Sequence, residues 1–159
     1  VTRRQLISLA AGGSAALLLG ALAFQYLGGL APCKLCLWQR WPHGLAVLAG
    51  GLGLLLPGVI WPVLGGLGAL TSAGIGAYHT GVERGWWPGP TSCSGGGEGL
   101  GGLSGAELLS FENAAPVVMC DEVAWELLGL SMASWNVLAS LALALIWLRA
   151  VQASSSASQ

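Results

Sequence analysis

Outside the interval from Glu83 to Glu126, this 159-residue chain carries five charged side chains, all basic: Arg3, Arg4, Lys34, Arg40 and Arg149. A fold built from such a chain cannot cover a water-facing surface. Charged residues make up 8% of it and hydrophobic ones 54%, against roughly 25% and 45–50% in a soluble domain. Its uncharged stretches are long enough to cross a bilayer. The sequence therefore describes an integral membrane protein, with residues 1–159 forming a single membrane domain. A net charge of −1 gives no basis for nucleic-acid binding.

Hydrophobic runs place four spans at about 6–28, 42–56, 59–78 and 132–148, with a polar loop at about 80–130 and a serine-rich, disordered tail at about 152–159. Thr2-Arg3-Arg4-Gln5-Leu6-Ile7 has the look of an export signal, and Ala21-Leu22-Ala23 that of a cleavage site. The uncharged run from Gln5 to Leu30 is longer than the ~7–15 residues of a signal core and favours a retained first span. Pro42 suits the first turn of the second span, and Pro57-Gly58 makes a hairpin turn to the third. In the loop, Trp86-Trp87-Pro88-Gly89-Pro90 reads as an interfacial cluster. Ser104-Gly105-Ala106-Glu107 reads as a capping box opening a short helix. A second short helix is expected after Cys120 through Leu128, stopped by Gly129. The expected fold class is all-α: a membrane four-helix bundle whose third and fourth spans are joined by a long loop with short interfacial helices.

Four spans put both termini on one side. Arg3, Arg4 and Arg149 on that side balance Lys34, Arg40 and Arg84 on the other, so charge does not orient the bundle. The span count does put Cys33 and Cys36 on the same side as Cys93 and Cys120, where the two pairs can meet.

Cys33-Lys34-Leu35-Cys36 has a redox spacing. Leu37 stands where a c-type haem site needs His, and the wide separation of Cys93 from Cys120 does not suit a four-cysteine zinc site. Four cysteines allow three pairings, which spacing leaves open. Cys36 near a helix N-terminus, with Arg40 one turn on, is placed for thiolate formation. Arg40 has two roles open to it: snorkelling to headgroups, or hydrogen bonding to a carbonyl of a lipid-soluble electron acceptor. His79 and Glu83 share a helix face unless Gly81 ends the helix first. They read either as a proton-handling or quinone-contacting histidine with its neighbour, or as an interfacial ion pair. His43 is a weaker candidate of the same kind. Asp121 and Glu122 disfavour thiolate at Cys120. A loop disulfide there is either exchangeable or a static staple.

Three ordered motifs then resemble one family. Cys33-Lys34-Leu35-Cys36-Leu37-Trp38-Gln39-Arg40 resembles the redox motif of the DsbB family, quinone-dependent disulfide-forming membrane proteins of bacteria. Tyr78-His79-Thr80-Gly81-Val82-Glu83 leads through Trp87-Pro88-Gly89-Pro90 to Cys93. Cys120-Asp121 is followed by Trp125, Leu128-Gly129-Leu130-Ser131-Met132 and Trp135-Asn136. The resemblance implies a bacterial inner-membrane protein with cytoplasmic termini and periplasmic cysteines. It implies that a Cys93–Cys120 disulfide oxidises a periplasmic DsbA-like thioredoxin-fold partner, with Cys93 forming the mixed disulfide. Cys120 would then exchange with Cys33, and Cys36 would pass electrons to ubiquinone or menaquinone beside Arg40 and, by a looser correspondence, His79. The chain departs from some members in having Trp38-Gln39 where they carry an aromatic-Glu pair, and in its glycine-rich loop.

A vitamin-K-epoxide-reductase-like protein is the nearest rival, but its loop cysteines precede the Cys-x-x-Cys, whereas here they follow it. A non-catalytic membrane protein with a structural loop disulfide is the rival from another class.

Overall fold

The computed structural model describes residues 1–90 and 118–156. Cys93 and the expected helix opened by Ser104 lie outside the described residues. Among the described residues four helices carry the fold: α1 (Arg3–Tyr26), α2 (Lys34–Leu55), α3 (Ile60–Glu83) and α4 (Met132–Ser156). Between α3 and α4 lies a two-stranded antiparallel hairpin, β1 (Glu126–Leu127) with β2 (Leu130–Ser131). α2 packs on α3 and α1, and α4 packs on α3 and α1, closing the bundle.

The helices are long because nothing stops them early. Thr2 caps α1 with a reciprocal capping box: its hydroxyl accepts from the Gln5 N–H, and the Gln5 side chain accepts from the Thr2 N–H. α2 begins eight residues before the expected Pro42, because Cys33 itself caps it. Pro42 therefore lies in the helix interior, where it donates no bond back to the Trp38 carbonyl. α3 runs through Gly81 to Glu83, five residues past the expected end. α4 continues to Ser156, so the stretch expected to be a disordered tail is helical through that residue. The short helix expected between Cys120 and Leu128 does not form: the chain is irregular through Trp125 and then enters the hairpin. Leu128 and Gly129 have φ of 55° and 76°, the left-handed pair that a tight two-residue hairpin requires.

Many large apolar side chains point outward, and the buried positions are mostly small or polar, with Trp147, Ile7 and Leu35 as large exceptions. Leu9 and Leu19 on α1, Leu48 on α2, Leu67 on α3 and Leu145 on α4 are each more than half exposed. Ala10, Ala46, Ala69, Ser72 and Ser140 are fully buried. This is the arrangement of a bundle that faces lipid and packs through small residues. α1, α3 and α4 are long and apolar enough to cross a membrane. α2 carries Lys34 and Arg40 and is not among these three, but at 22 residues it is of spanning length and exposes leucines like the others.

Two features set the ends of the bundle. At the terminal end, Arg3 donates to Ser154 Oγ at 2.9 Å, to the Gly53 carbonyl at 3.0 Å and to the Gly58 carbonyl at 3.0 Å, tying α1 to α4 and to the α2–α3 turn. At the other end, Trp87 stacks on Tyr78 and donates to its carbonyl at 2.9 Å, folding the aromatic cluster back onto α3. In between, fully buried Trp147 lies across Gly65, where an added Cβ would come 2.5 Å from its ring. Gly65→Val is therefore expected to destabilise the bundle by about 1–3 kcal/mol through overpacking. Gly74→Ala, on an open face of the same helix, should be neutral or slightly stabilising. Thermal unfolding in detergent checks the pair.

Candidate redox site

The site forms where the start of α2, the end of α3 and the segment before the hairpin converge. Cys33 occupies the N-cap position of α2, and the Cys36 N–H donates to its sulfur at 3.2 Å. The two sulfurs of this free dithiol lie 2.9 Å apart. Leu35, Gln39, His43 and Ala46 follow on the buried face of α2, at the three- and four-residue steps of a helix. The pair therefore stands directly above a buried polar stripe.

His79 comes from α3, 3% exposed, with Nε2 3.5 Å from Cys33 Sγ. Its other ring nitrogen lies 3.0 Å from Gln39 Nε2. The Gln39 amide is oriented by the Leu35 carbonyl, to which Nε2 donates at 3.1 Å. Nδ1 of His79 is thus the acceptor, and Nε2 carries the proton towards Cys33. Glu83, four residues on, approaches His79 Nε2 at 3.8 Å and accepts a very short hydrogen bond from Ser131 Oγ. Ser131 also accepts from the Ser134 N–H at 3.2 Å, so this cap of α4 is anchored to Glu83.

Cys120 is fully buried and disulfide-bonded. Its sulfur, Cys33 Sγ and a ring nitrogen of His79 all lie within 4.8 Å of one another. These are metal-binding residue types, but a disulfide sulfur offers no thiolate to an ion. The arrangement suits sulfur exchange instead: a thiolate candidate beside a disulfide sulfur, with an imidazole N–H between them. The Cys33 thiol is pulled down to about 4, chiefly by the hydrogen bond from the Cys36 thiol, with His79 and the Cys36 N–H acting in the same direction against burial. The helix N-terminus expected to act on Cys36 thus acts on Cys33, because α2 starts at Lys34.

Behind the dithiol, a largely apolar cavity of about 360 Å³ opens between α1, α2 and α4. Cys33, Cys36, Arg40, His43 and His79 all line it, with Trp135 at its wall. Arg40 donates to Gln25 Oε1 at 2.6 Å and more loosely to the Ala21 carbonyl, which holds its guanidinium on the α1 side. Of the expected site residues, Cys33, Cys36, Arg40 and His79 line this space and Cys120 lies against Cys33 and His79, while Cys93 lies outside the described residues. Gln39, Asn136 and Ser131 belong to the family-like motifs but, like Ser72, carry no expected role at the site; Gln39 and Asn136 line the space. The available signal was the i, i+4 spacing of Gln39 with His43 and of Asn136 with Ser140, polar pairs inside otherwise apolar helices.

Comparison with known proteins identifies the family. Residues 3–150 match the profile of the family "Disulfide bond formation protein DsbB". A disulfide bond formation protein B from Verminephrobacter eiseniae is 34% identical over 92% of this chain and 85% of its own length. Namesakes from Dechloromonas aromatica and Pasteurella multocida are 37% identical over 74% of this chain and 73% of their own length, and 34% identical over 87% and 83%. No solved structure matches the chain significantly. With a profile match along nearly the whole chain and relatives aligned over most of their own length, this protein belongs to the DsbB family of disulfide bond formation proteins.

Proposed function

We propose that the protein is a membrane dithiol:quinone oxidoreductase that reoxidises a periplasmic DsbA-like thiol oxidase. The observation that carries this reading is the meeting of Cys33 Sγ, His79 and the disulfide sulfur of Cys120 within 4.8 Å, at the rim of a cavity that Cys36 also lines. In this reading the partner's thiolate attacks Cys93, Cys120 leaves as a thiolate, and the partner's second thiol resolves the mixed disulfide. The loop pair is then reduced. Cys120 next attacks Cys33 of an oxidised Cys33–Cys36 pair, and Cys93 resolves the Cys33–Cys120 bond, leaving Cys33 and Cys36 reduced. Two electrons have moved from the loop to the α2 pair.

The cavity fits a quinone headgroup by its size, its apolar walls and the polar groups at its edge. Arg40, Cys36 and His79 are the residues that would hold it. A bound quinone supplies the chemistry the chain lacks, taking two electrons and two protons and leaving as quinol. The chain's own part is to keep Cys33 a good leaving group, which a low thiol pKa does, and to direct the His79 N–H at the Cys33 sulfur. A DsbA-like partner at about −120 mV is already a strong oxidant, so only a still stronger acceptor can draw its electrons. The orientation follows the same reading: termini cytoplasmic, cysteines periplasmic, in the bacterial inner membrane.

Anaerobic assay of the purified protein with a reduced DsbA-like partner and a soluble ubiquinone or menaquinone analogue tests this. Partner thiols and quinone should disappear in step, and both signals should fall to background in Cys36→Ser and in Cys33→Ser. If both variants turn over normally, the loop disulfide is only structural and the proposal fails.

The state of Cys33 is tested separately in a Cys93→Ser/Cys120→Ser background, where only the α2 pair titrates. Its thiolate ultraviolet absorbance should persist as pH falls from about 8 through 5 and vanish near pH 4, the lowered value of Cys33. His79→Phe removes a donor to that sulfur and should move the midpoint upward.

A further inference from the structure

Glu83 is a buried carboxylate for which the exchange chemistry above has no use. Its side chain is 6% exposed, and it lines the cavity that Cys36, Arg40 and His79 also line. A carboxylate so placed needs partners, since an unpaired ion is costly in an apolar interior. Ser131 Oγ donates to one oxygen, Oε2. The other, Oε1, lies 3.8 Å from His79 Nε2.

The same nitrogen lies 3.5 Å from Cys33 Sγ. With Nδ1 of His79 accepting from Gln39, the imidazole is neutral and Nε2 carries its one proton. One N–H therefore stands between two groups that are both anions once Cys33 is a thiolate, and it can serve one of them. The cations at this end of the bundle are turned elsewhere. Arg84, next in the chain, lies over the Trp86 ring, Lys34 of α2 lies over Trp38, and Arg40 is held by Gln25 of α1. Cys36, also from α2, is the thiol beside Cys33, and the exposed Glu122 before the hairpin brings a further negative charge to the cavity wall. Reduction of the α2 pair thus places a second negative charge beside Glu83 with no cation to balance it. The charge is removed most directly by a proton on the carboxylate.

We propose that Glu83 is the proton-carrying group of the dithiol: it binds a proton when the Cys33–Cys36 disulfide is reduced and releases it when the disulfide re-forms. The inference rests on the reading of Cys33 and Cys36 as a redox couple and adds the carrier of a second proton. Reduction by the loop dithiol breaks the Cys33–Cys36 bond. Two electrons and two protons then yield a Cys33 thiolate, a Cys36 thiol and a neutral Glu83 carboxylic acid. Re-forming the disulfide sends both electrons and both protons onward, the number a quinone takes up on becoming quinol. Without Glu83 the thiolate–thiol pair gives up two electrons but one proton.

Redox titration in thiol–disulfide buffers tests this without quinone or turnover, on the full chain carrying Cys93→Ser/Cys120→Ser. One pH unit changes the equilibrium tenfold for each proton bound, which is about 30 mV for a two-electron couple. From about pH 6 to 7, above the ordinary carboxylic-acid range, the midpoint should fall by about 60 mV per pH unit with Glu83 present and by about 30 mV in Glu83→Gln. The glutamine keeps an acceptor for Ser131 and loses only the titration. Reduced-minus-oxidised infrared spectra give a second reading: a carboxylic-acid carbonyl band should appear on reduction and be missing in Glu83→Gln. The shallower slope with Glu83 present, an equal slope in the variant, or no such band overturns the inference alone. A pair that cannot be cycled reversibly in these buffers overturns the redox-couple reading and this inference together.

Discussion

The sulfur of Cys33 is the acceptor on which the upper half of this structure turns. It caps α2 through the Cys36 N–H, lies beside the Cys36 sulfur and faces His79 of α3. A helix N-terminus leaves backbone N–H groups without partners, and a negative acceptor there is stabilised by both the free N–H and the helix dipole. The same contacts that start α2 therefore also depress the thiol, and the chemistry and the fold share one atom. Removing the sulfur's charge weakens a cap. Moving the cap by one residue would carry Cys33 away from Cys120.

Beneath this atom the bundle is organised by a polar column, with an apolar cluster around Ile7 and Trp147. Gln39, His79, Asn136, His43, Ser72 and Ser140 bond to one another across α2, α3 and α4. Between helices that face lipid, association gains little from burying apolar surface, and close packing of small residues with interhelical hydrogen bonds takes its place. The column fixes the rotation of each helix, since a turned helix would leave an amide or imidazole unpaired in an apolar interior. It also sets the protonated nitrogen of each histidine. Glu83 and Ser131 extend the control to the hairpin, so the segment holding Cys120 is registered against the same helix that presents His79.

Much of this was legible in the residues. The paucity of charge gave the membrane class, the hydrophobic runs gave four helices, and the cysteine order with its flanking motifs gave the family. Helix ends were less legible. Pro42 looked like a start because proline favours first turns, yet a capping sulfur eight residues earlier outweighed it. Gly81 reads as a stop, yet His79 and Glu83 are held on one face through it by contacts from Cys33, Gln39 and Ser131. Leu128-Gly129 reads as the end of a helix because a left-handed glycine serves both helix stops and tight hairpins, and only the pairing of Glu126 with Ser131 distinguishes them. Gln39 and Asn136 stand within the family-like motifs, but the bonds they make are not legible there, because an amide inside an apolar run has no chemistry of its own. Its meaning lies in the partner it orients, which is far away in sequence.

The central claim is that Cys33 and Cys120 meet. It is tested most directly with Cys36→Ser/Cys93→Ser, which leaves only these two cysteines, oxidised gently in native membranes and mapped by peptide mass spectrometry. The account predicts a near-complete intramolecular Cys33–Cys120 disulfide, formed without cross-linked dimers. Two persistent free thiols, or disulfides only between molecules, would contradict it.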